Sequence, residues 1–348
     1  MIFLYIINIL YHIHYIKINN IKMKKKYSNK FSVAPMFKYT DQHCLYFYRQ
    51  LTKKTFLYTE MITIQKMLFS KKLFKKKQIK KNNPIAIQLA GNNPLFLSLC
   101  AKKAYFLGFK EINLNIGCPS KKAKSGNFGI YLMNNPILVY NLIKAIYLTV
   151  PIQISIKIRL GTNENKNYRF LKNFIQLVSK NNYCIKYIIH ARIANLQINS
   201  PKKNRNIPLL NYSYVYKIKK DFPHLIIIIN GGIKTINEIN EHLKNVDGVM
   251  MGREIYKNPL FLRKIDKKIF FQKKQIKIKK FIKKMSNYIK KKIIKGVPAI
   301  KIIKHMLNIF YKLPQAKKWK HELIQKTIYK NQIDDIFNKI HKLFDKKF

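Results

Sequence analysis

Residues 225–255 read LIIIINGGIKTINEINEHLKNVDGVMMGREI. The stretch opens on the apolar run Leu225–Gly231, nearly continuous in β-branched residues, as a strand buried on both faces should be. A Gly-Gly turn comes next, then Ile233–Leu243, a segment with room for a helix. A second apolar run, Gly248–Arg253, closes the unit. Strand, helix and strand in this order make a parallel βαβ unit.

Moving toward the N-terminus, the same kind of run recurs at Phe31–Met36, Leu57–Ile62, Ile85–Ala90, Glu111–Gly117, Ile152–Leu160 and Tyr187–Arg192. Each of the first seven runs is followed by a longer segment that can hold a helix, and Pro94–Leu107 carries apolar residues at helical spacing. Eight alternations predict a (β/α)8 TIM barrel over residues 31–268. An open doubly wound sheet is the runner-up. It would want G-x-G-x-x-G after the first strand, where this chain has Ala34-Pro35-Met36-Phe37.

Beyond Ile269 the strand signals stop. Ile278, Phe281, Ile282, Met285 and Ile289 form one helical stripe, and Ile300, Ile303, Met306, Leu307 and Phe310 another. A small helical domain with a basic face is expected over 269–348. Residues 1–30 read as an extension. The start is apolar but broken by His12, His14, Lys17 and Asn19-Asn20, and it lacks the basic flank and small-residue cleavage site of a signal peptide. Met23 is the expected natural start.

The 348 residues are 47% hydrophobic, enough for a barrel of ~250 residues and an appended domain. Lys and Arg number 70 against 14 Asp and Glu, a formal net charge of +56. A field of that sign captures polyanions, and nucleic acid is the partner class it favours. Codon bias of an AT-rich genome is the competing explanation for single runs such as Lys71-Lys72 or Lys75-Lys76-Lys77. No apolar stretch of membrane-spanning length occurs. Cys44, Cys100, Cys118 and Cys184 form no CxxC pair and no zinc spacing, so no metal is expected and a reducing cytoplasm fits. A monomer is expected.

In such a barrel, function gathers at the C-terminal ends of the strands. Met36, Glu60, Thr63, Gln88, Asn115, Lys157, Arg159, His190, Arg192, Asn230 and Arg253 all fall at those ends. Gly231-Gly232 lets backbone amides approach an anion, with a following helix N-terminus to add positive potential. Gly252 repeats the device 21 residues after Gly231, and Arg253 supplies a fork of donors. Lys157 would place a cation in the mouth that can stabilise a reduced flavin ring, and Gln88 offers a donor and an acceptor to a heterocycle edge. Cys118, between Gly117 and Pro119, would present its sulfur at the mouth. Free cysteines, which titrate near ~8.5, are mostly protonated at neutral pH and can act as general acids.

Together SVAPMFKYTDQHCLYF, LYTEMIT, IQLAG, GFKEINLNIGCPS, SGNFGIYLM, IKIRLG, IIHARIA, SPKKNRNIP and DGVMMGREIYKNP resemble the tRNA-dihydrouridine synthases, from about residue 31 to 262. SPKKNRNIP and the helical tail resemble the A-type subfamily, which acts on U20 and U20a of the D loop. The resemblance implies an FMN-binding barrel followed by a helical tRNA-binding domain, with NADPH as reductant. It implies that Cys118 protonates C5 of uracil while hydride reaches C6. Pro35, Met36, Phe37, Gln88, Lys157, His190, Asn230, Gly231, Gly232, Gly252 and Arg253 match FMN positions, and Asn115 a position close to the base. Lys202 and Arg205 match tRNA contacts. Lys317 and Lys320 stand where the family has arginines, keeping the charge and losing the bidentate fork. Asn195 replaces a tryptophan and Ile198 a glycine. Two alternatives remain open at this level: an FMN barrel that reduces a free pyrimidine, and an RNA-binding protein with a decayed site.

Overall fold

The computed structural model describes residues 27–70, 73–198, 200, 202–273, 277–312, 314 and 316–328. The first 26 residues of the expected extension and the last 20 of the expected tail domain (329–348) lie outside the described residues.

Eight parallel strands pair in sequence order and close on themselves. They are β1 (Phe31–Val33), β2 (Phe56–Thr63), β3 (Ile85–Ala90), β4 (Glu111–Ile116), β5 (Gln153–Arg159), β6 (Lys186–His190), β7 (Ile226–Asn230) and β8 (Gly248–Met251). After β1 comes α1 (Gln42–Leu51). β2 is followed by α2 (Ile64–Phe69) and α3 (Lys76–Asn82), β3 by α4 (Pro94–Leu107), and β4 by α5 (Lys121–Ser125) and α6 (Pro136–Tyr147). Then α7 (Tyr168–Val178), α8 (Tyr212–Asp221) and α9 (Ile236–Leu243) follow β5, β6 and β7. α10 (Arg253–Lys257) and α11 (Phe261–Lys268) follow β8. This is the expected TIM barrel, and β3 and α4 have the bounds read from the sequence.

Strands β4 to β8 end one or two residues short of the runs read from the sequence, and β1 departs most. β1 stops at Val33, because Pro35 has no N–H for a ladder and the chain then turns, with the amides of Tyr39 and Thr40 donating to the Met36 carbonyl at 3.0 and 2.9 Å. Met36 therefore sits in a loop over the barrel mouth and not at a strand end.

Two apolar layers hold the fold. The larger lies between the sheet and the helices, where Leu171, Phe174, Ile175 and Val178 turn the stripe of α7 inward. The smaller fills the barrel interior with Ala34, Phe56, Tyr58, Ala86, Ile188, Ile228 and Met250. The interior is therefore a packed core, as barrels of this size require. Each fully buried large side chain contributes ~1.5–3 kcal/mol.

Three helices follow the barrel: α12 (Ile278–Ile293), α13 (Ile300–Met306) and α14 (Ala316–Ile328). On α12, Phe281, Ile282, Met285 and Ile289 are buried, as the stripe predicts. On α13 the buried face is Ile302, Ile303 and Met306, continuing through Ile309 and Phe310, while Ile300 is 46% exposed. The chain tightens there to a 3-10 turn, Leu307–Phe310, which shifts the register of the stripe. α12 and α13 pack on α1: Tyr288 stacks on Tyr46 at 3.8 Å, and His305 meets Asp41 at 3.1 Å. Among the described residues no helix is long and apolar enough to cross a membrane, and no cluster of three metal-ligating side chains occurs.

Candidate active site

A cavity of about 990 Å³ opens at the C-terminal ends of the strands. Its wall has a sharp charge imbalance. Lys66, Lys122, Lys157, Arg159, Arg192, Arg205, Lys234, Arg253 and Lys257 line it, against one carboxylate, Glu254. Pro35, Met36, Phe37, Met61, Leu210 and Met250 add an apolar bed. Such a space suits an anionic ligand with a flat apolar part.

The β7 end is shaped for close approach. Gly231 and Gly232 have φ of +122° and +76°. A Cβ on Gly231 would lie 2.8 Å from the His190 ring, and one on Gly232 would lie 2.5 Å from Leu210. Only glycine satisfies both demands. Among the described residues the amides of Gly231, Gly232 and Ile233 donate to no protein acceptor. The helix behind them does not extend this cradle. α9 starts at Ile236 and not at Ile233, and the amides that lead into it are occupied: Glu238 accepts from Lys234 at 2.5 Å and Thr235 at 3.0 Å, completing a capping box with Thr235. The helix N-terminus expected to add positive potential is thus capped by a carboxylate of its own.

Cys118 lies at the mouth, half-buried, while Cys44, Cys100 and Cys184 are buried. Its turn hangs on Asn115, whose Oδ1 accepts from the amides of Gly117 and Cys118 at 3.2 and 3.0 Å. The sulfur is 3.4 Å from Ser120 Oγ. Arg159 braces the same turn from below. Its Nε donates to the Gly117 carbonyl at 3.1 Å and its Nη1 to Ile193 and Asn204 carbonyls at 2.8 and 3.1 Å.

Lys157 projects into the mouth and donates to Asn230 Oδ1 at 3.0 Å. Burial, with Arg159 next in effect, pushes it down to about 7. His190 is held well below its usual range by burial and by Arg159, Lys157, Arg192 and Arg253, so it stays neutral. Neutral imidazole keeps one donor and one acceptor.

Lys157 gives a pH test. A free lysine titrates near ~10.4, so between about 7 and that value the unfolded chain binds the proton that the fold releases. Stability of the ligand-free protein is expected to rise with pH across that window. Lys157→Met should lack this component. Urea titrations of both proteins at several pH values check it: the variant's advantage should be largest at pH 7 and shrink toward pH 10, and a constant difference would refute the assignment.

Pro35, Met36, Phe37, Gln88, Asn115, Cys118, Lys157, His190, Asn230, Gly231, Gly232, Gly252 and Arg253 all line this one cavity. Arg205, expected as a tRNA contact, lines it as well; its carbonyl accepts from Arg253 at 3.3 Å. Lys202, Lys317 and Lys320 are not in the wall. Lys202 and Lys317 are exposed, and Lys320 reaches Asn308 at 3.4 Å. Sequence reasoning gave no role to the brace Arg159, although it lies two residues after Lys157 on β5 and so on the same face of the strand. It also passed over Glu111 and Asn113, which share a face with Asn115.

A model of the dihydrouridine synthase family matches residues 32–344. The chain belongs to the dihydrouridine synthase family. It is therefore an oxidoreductase, because making dihydrouridine means reducing the uracil C5–C6 bond. It is similar to proteins named tRNA-dihydrouridine(20/20a) synthase: 42% identical to that of Vibrio vulnificus (strain CMCP6) over 298 residues, covering 85% of this chain and 91% of the relative. The Escherichia coli (strain K12) protein of that name is 43% identical over 298 residues, with 85% and 86% covered. Among solved structures, histamine dehydrogenase from Rhizobium sp. 4-9 superposes with a TM-score of 0.50 at 12% identity, over 68% of this chain and 45% of that one. That likeness concerns the barrel fold alone.

Proposed function

We propose that this family member reduces uridines of tRNA at positions 20 and 20a, with FMN in the barrel mouth, NADPH as reductant and Cys118 as proton donor. The observation that carries this reading is a cation-lined cavity in which the Cys118 sulfur and the open amides of Gly231, Gly232 and Ile233 share one opening. The names of the relatives support the substrate.

The residues present fit a flavin mononucleotide. Unpartnered amides and the Arg253 fork suit its phosphate. Pro35, Met36 and Phe37 supply the apolar bed for a ring. Lys157, held by Asn230, can balance negative charge on the reduced ring. His190 and Gln88 offer hydrogen bonds to its polar edge. Bound FMN would supply the hydride that uracil C6 receives, recharged by NADPH.

Cys118 would give its proton to uracil C5, completing the reduction. The spare N–H of Asn115 can orient the base beside it. The uridine must leave its stack to enter, at a cost of a few kcal/mol that is smaller in a loop. Basic groups offset that cost by binding the tRNA backbone. Lys202, Lys317 and Lys320 lie outside the cavity, where a backbone would pass. We divide the chain into a catalytic barrel, 31–268, and a helical tRNA-binding domain, 269–348, acting as a monomer in the cytoplasm.

Mapping dihydrouridine in tRNA from cells lacking and then regaining the protein tests this. Loss and recovery at positions 20 and 20a are expected; unchanged tRNA, or turnover of free uridine without tRNA, would overturn it. For the surface, Lys202→Glu is expected to weaken tRNA binding and reduce the salt slope of log K by ~1, with flavin content unchanged. Binding curves at several salt concentrations read that slope directly, and an unaltered slope would remove Lys202 from the phosphate contacts.

A further inference from the structure

A column of polar side chains crosses the barrel interior, from a buried ion pair at its floor to the turn that carries Cys118. At the floor Lys186 Nζ donates to Glu111 Oε2 at 2.8 Å, with the two side chains 1% and 0% exposed. Tyr58 and Ser155 hydroxyls donate to Glu111 Oε1 at 2.6 and 2.5 Å. Above them, Asn113 Nδ2 donates to Ser155 Oγ at 2.7 Å, and Gln88 Nε2 to Asn113 Oδ1 at 2.7 Å. Asn115 Nδ2 donates to Gln88 Oε1 at 2.9 Å. The column ends where Asn115 Oδ1 accepts from the amides of Gly117 and Cys118. Glu111, Asn113 and Asn115 face inward together because they alternate along β4. Pairing of Gln88 with Asn113, and of Asn113 with Ser155, puts the intervening groups at the same height on the neighbouring strands.

Every proton in this column points toward the floor. That direction has a physical source. A primary amide can present either its oxygen or its nitrogen to a neighbour, so the orientation of the three amides is set by what stands at the two ends of the column. A carboxylate paired with an ammonium only accepts. It takes the one proton of Ser155, which leaves that hydroxyl able only to accept from Asn113. Asn113 then shows its oxygen to Gln88, Gln88 its oxygen to Asn115, and Asn115 its oxygen to the turn. Reversal would set the Asn115 amide nitrogen against two backbone N–H donors.

We infer that Glu111 is a positioning residue for Cys118: it sets the polarity of the amide column and thereby keeps an acceptor under the Cys118 turn. The consequence for turnover rests on the reading of Cys118 as proton donor; the consequence for the turn does not.

Alkylation by iodoacetamide of the native full chain separates the two. Cys118 is the one cysteine of four that is not buried, and peptide mapping identifies the modified residue. Ser155→Ala cuts the column while leaving the Glu111–Lys186 pair intact. It is expected to speed Cys118 alkylation by ~5-fold, the population change that one hydrogen bond of ordinary strength produces, and to lower kcat for tRNA with KM unchanged. Glu111→Gln should do the same. Ser155→Thr restores the hydroxyl and should return the rate to within about twofold of wild type, given that an ordinary neutral hydrogen bond is remade. Tyr58→Phe removes a donor from the same carboxylate without interrupting the column and should leave alkylation unchanged. Wild-type alkylation in Ser155→Ala, or equal changes in Ser155→Ala and Tyr58→Phe, would overturn the inference. Faster alkylation with undiminished dihydrouridine formation would leave the column standing and remove Cys118 from the chemistry.

Discussion

Cys118→Ala is expected to lower dihydrouridine formation by ~10²–10⁴-fold, the range that a positioned proton donor contributes. The protein should still bind flavin and still let NADPH reduce it, because none of the cavity's cations or open amides belongs to residue 118. The substitution is also mild for the fold. Asn115 holds the turn through backbone amides, which alanine retains, and the sulfur's one polar contact is Ser120 at 3.4 Å. Nucleoside mass spectrometry after incubation with tRNA and NADPH reads the product, and the visible spectrum reads the flavin. Product at the wild-type rate would remove the thiol from the mechanism; loss of the flavin band would mean that residue 118 shapes the cavity instead.

Lys186→Met is expected to cost ~3–5 kcal/mol of folding stability, the penalty for leaving a buried charge without its partner. The site is dry, with both side chains essentially inaccessible. The ammonium also lies 4.7 Å from the Phe56 ring centroid and 5.9 Å from that of Tyr58, contacts that a cation over an aromatic face strengthens. Urea denaturation gives the loss. The paired change Glu111→Met with Lys186→Met should be less destabilising than Lys186→Met alone, because no charge is then stranded. A single variant as stable as wild type would mean that water reaches the pair. The paired variant should also alkylate at Cys118 as fast as Ser155→Ala, since both cut the same column.

Much of the architecture could be read along the chain. A parallel strand covered on both faces is apolar at most of its positions, so β3 and β7 announce themselves as runs. Helix α4 declares both ends, with Asn93 capping Phe96 and Gly108 closing it in the left-handed region. Gly231 and Gly232 were legible as a close approach for the same local reason. Where local signals stopped, the reading failed: β1 was drawn to Met36 across Pro35, and α9 was begun at Ile233 ahead of its capping box.

The alternation of apolar runs and helical segments by itself determined the barrel, its order of strands and the end at which Cys118, Lys157 and the glycines collect. Backbone hydrogen bonding and side-chain periodicity act over a few residues, and the chain records them directly. Only the folded barrel decided which polar groups touch. Glu111 and Lys186 are 75 residues apart, and Arg159 meets three carbonyls from two separate loops. Such contacts depend on strand register and on closure of the sheet, which arise from the packing of all eight strands at once and leave no mark at any one position.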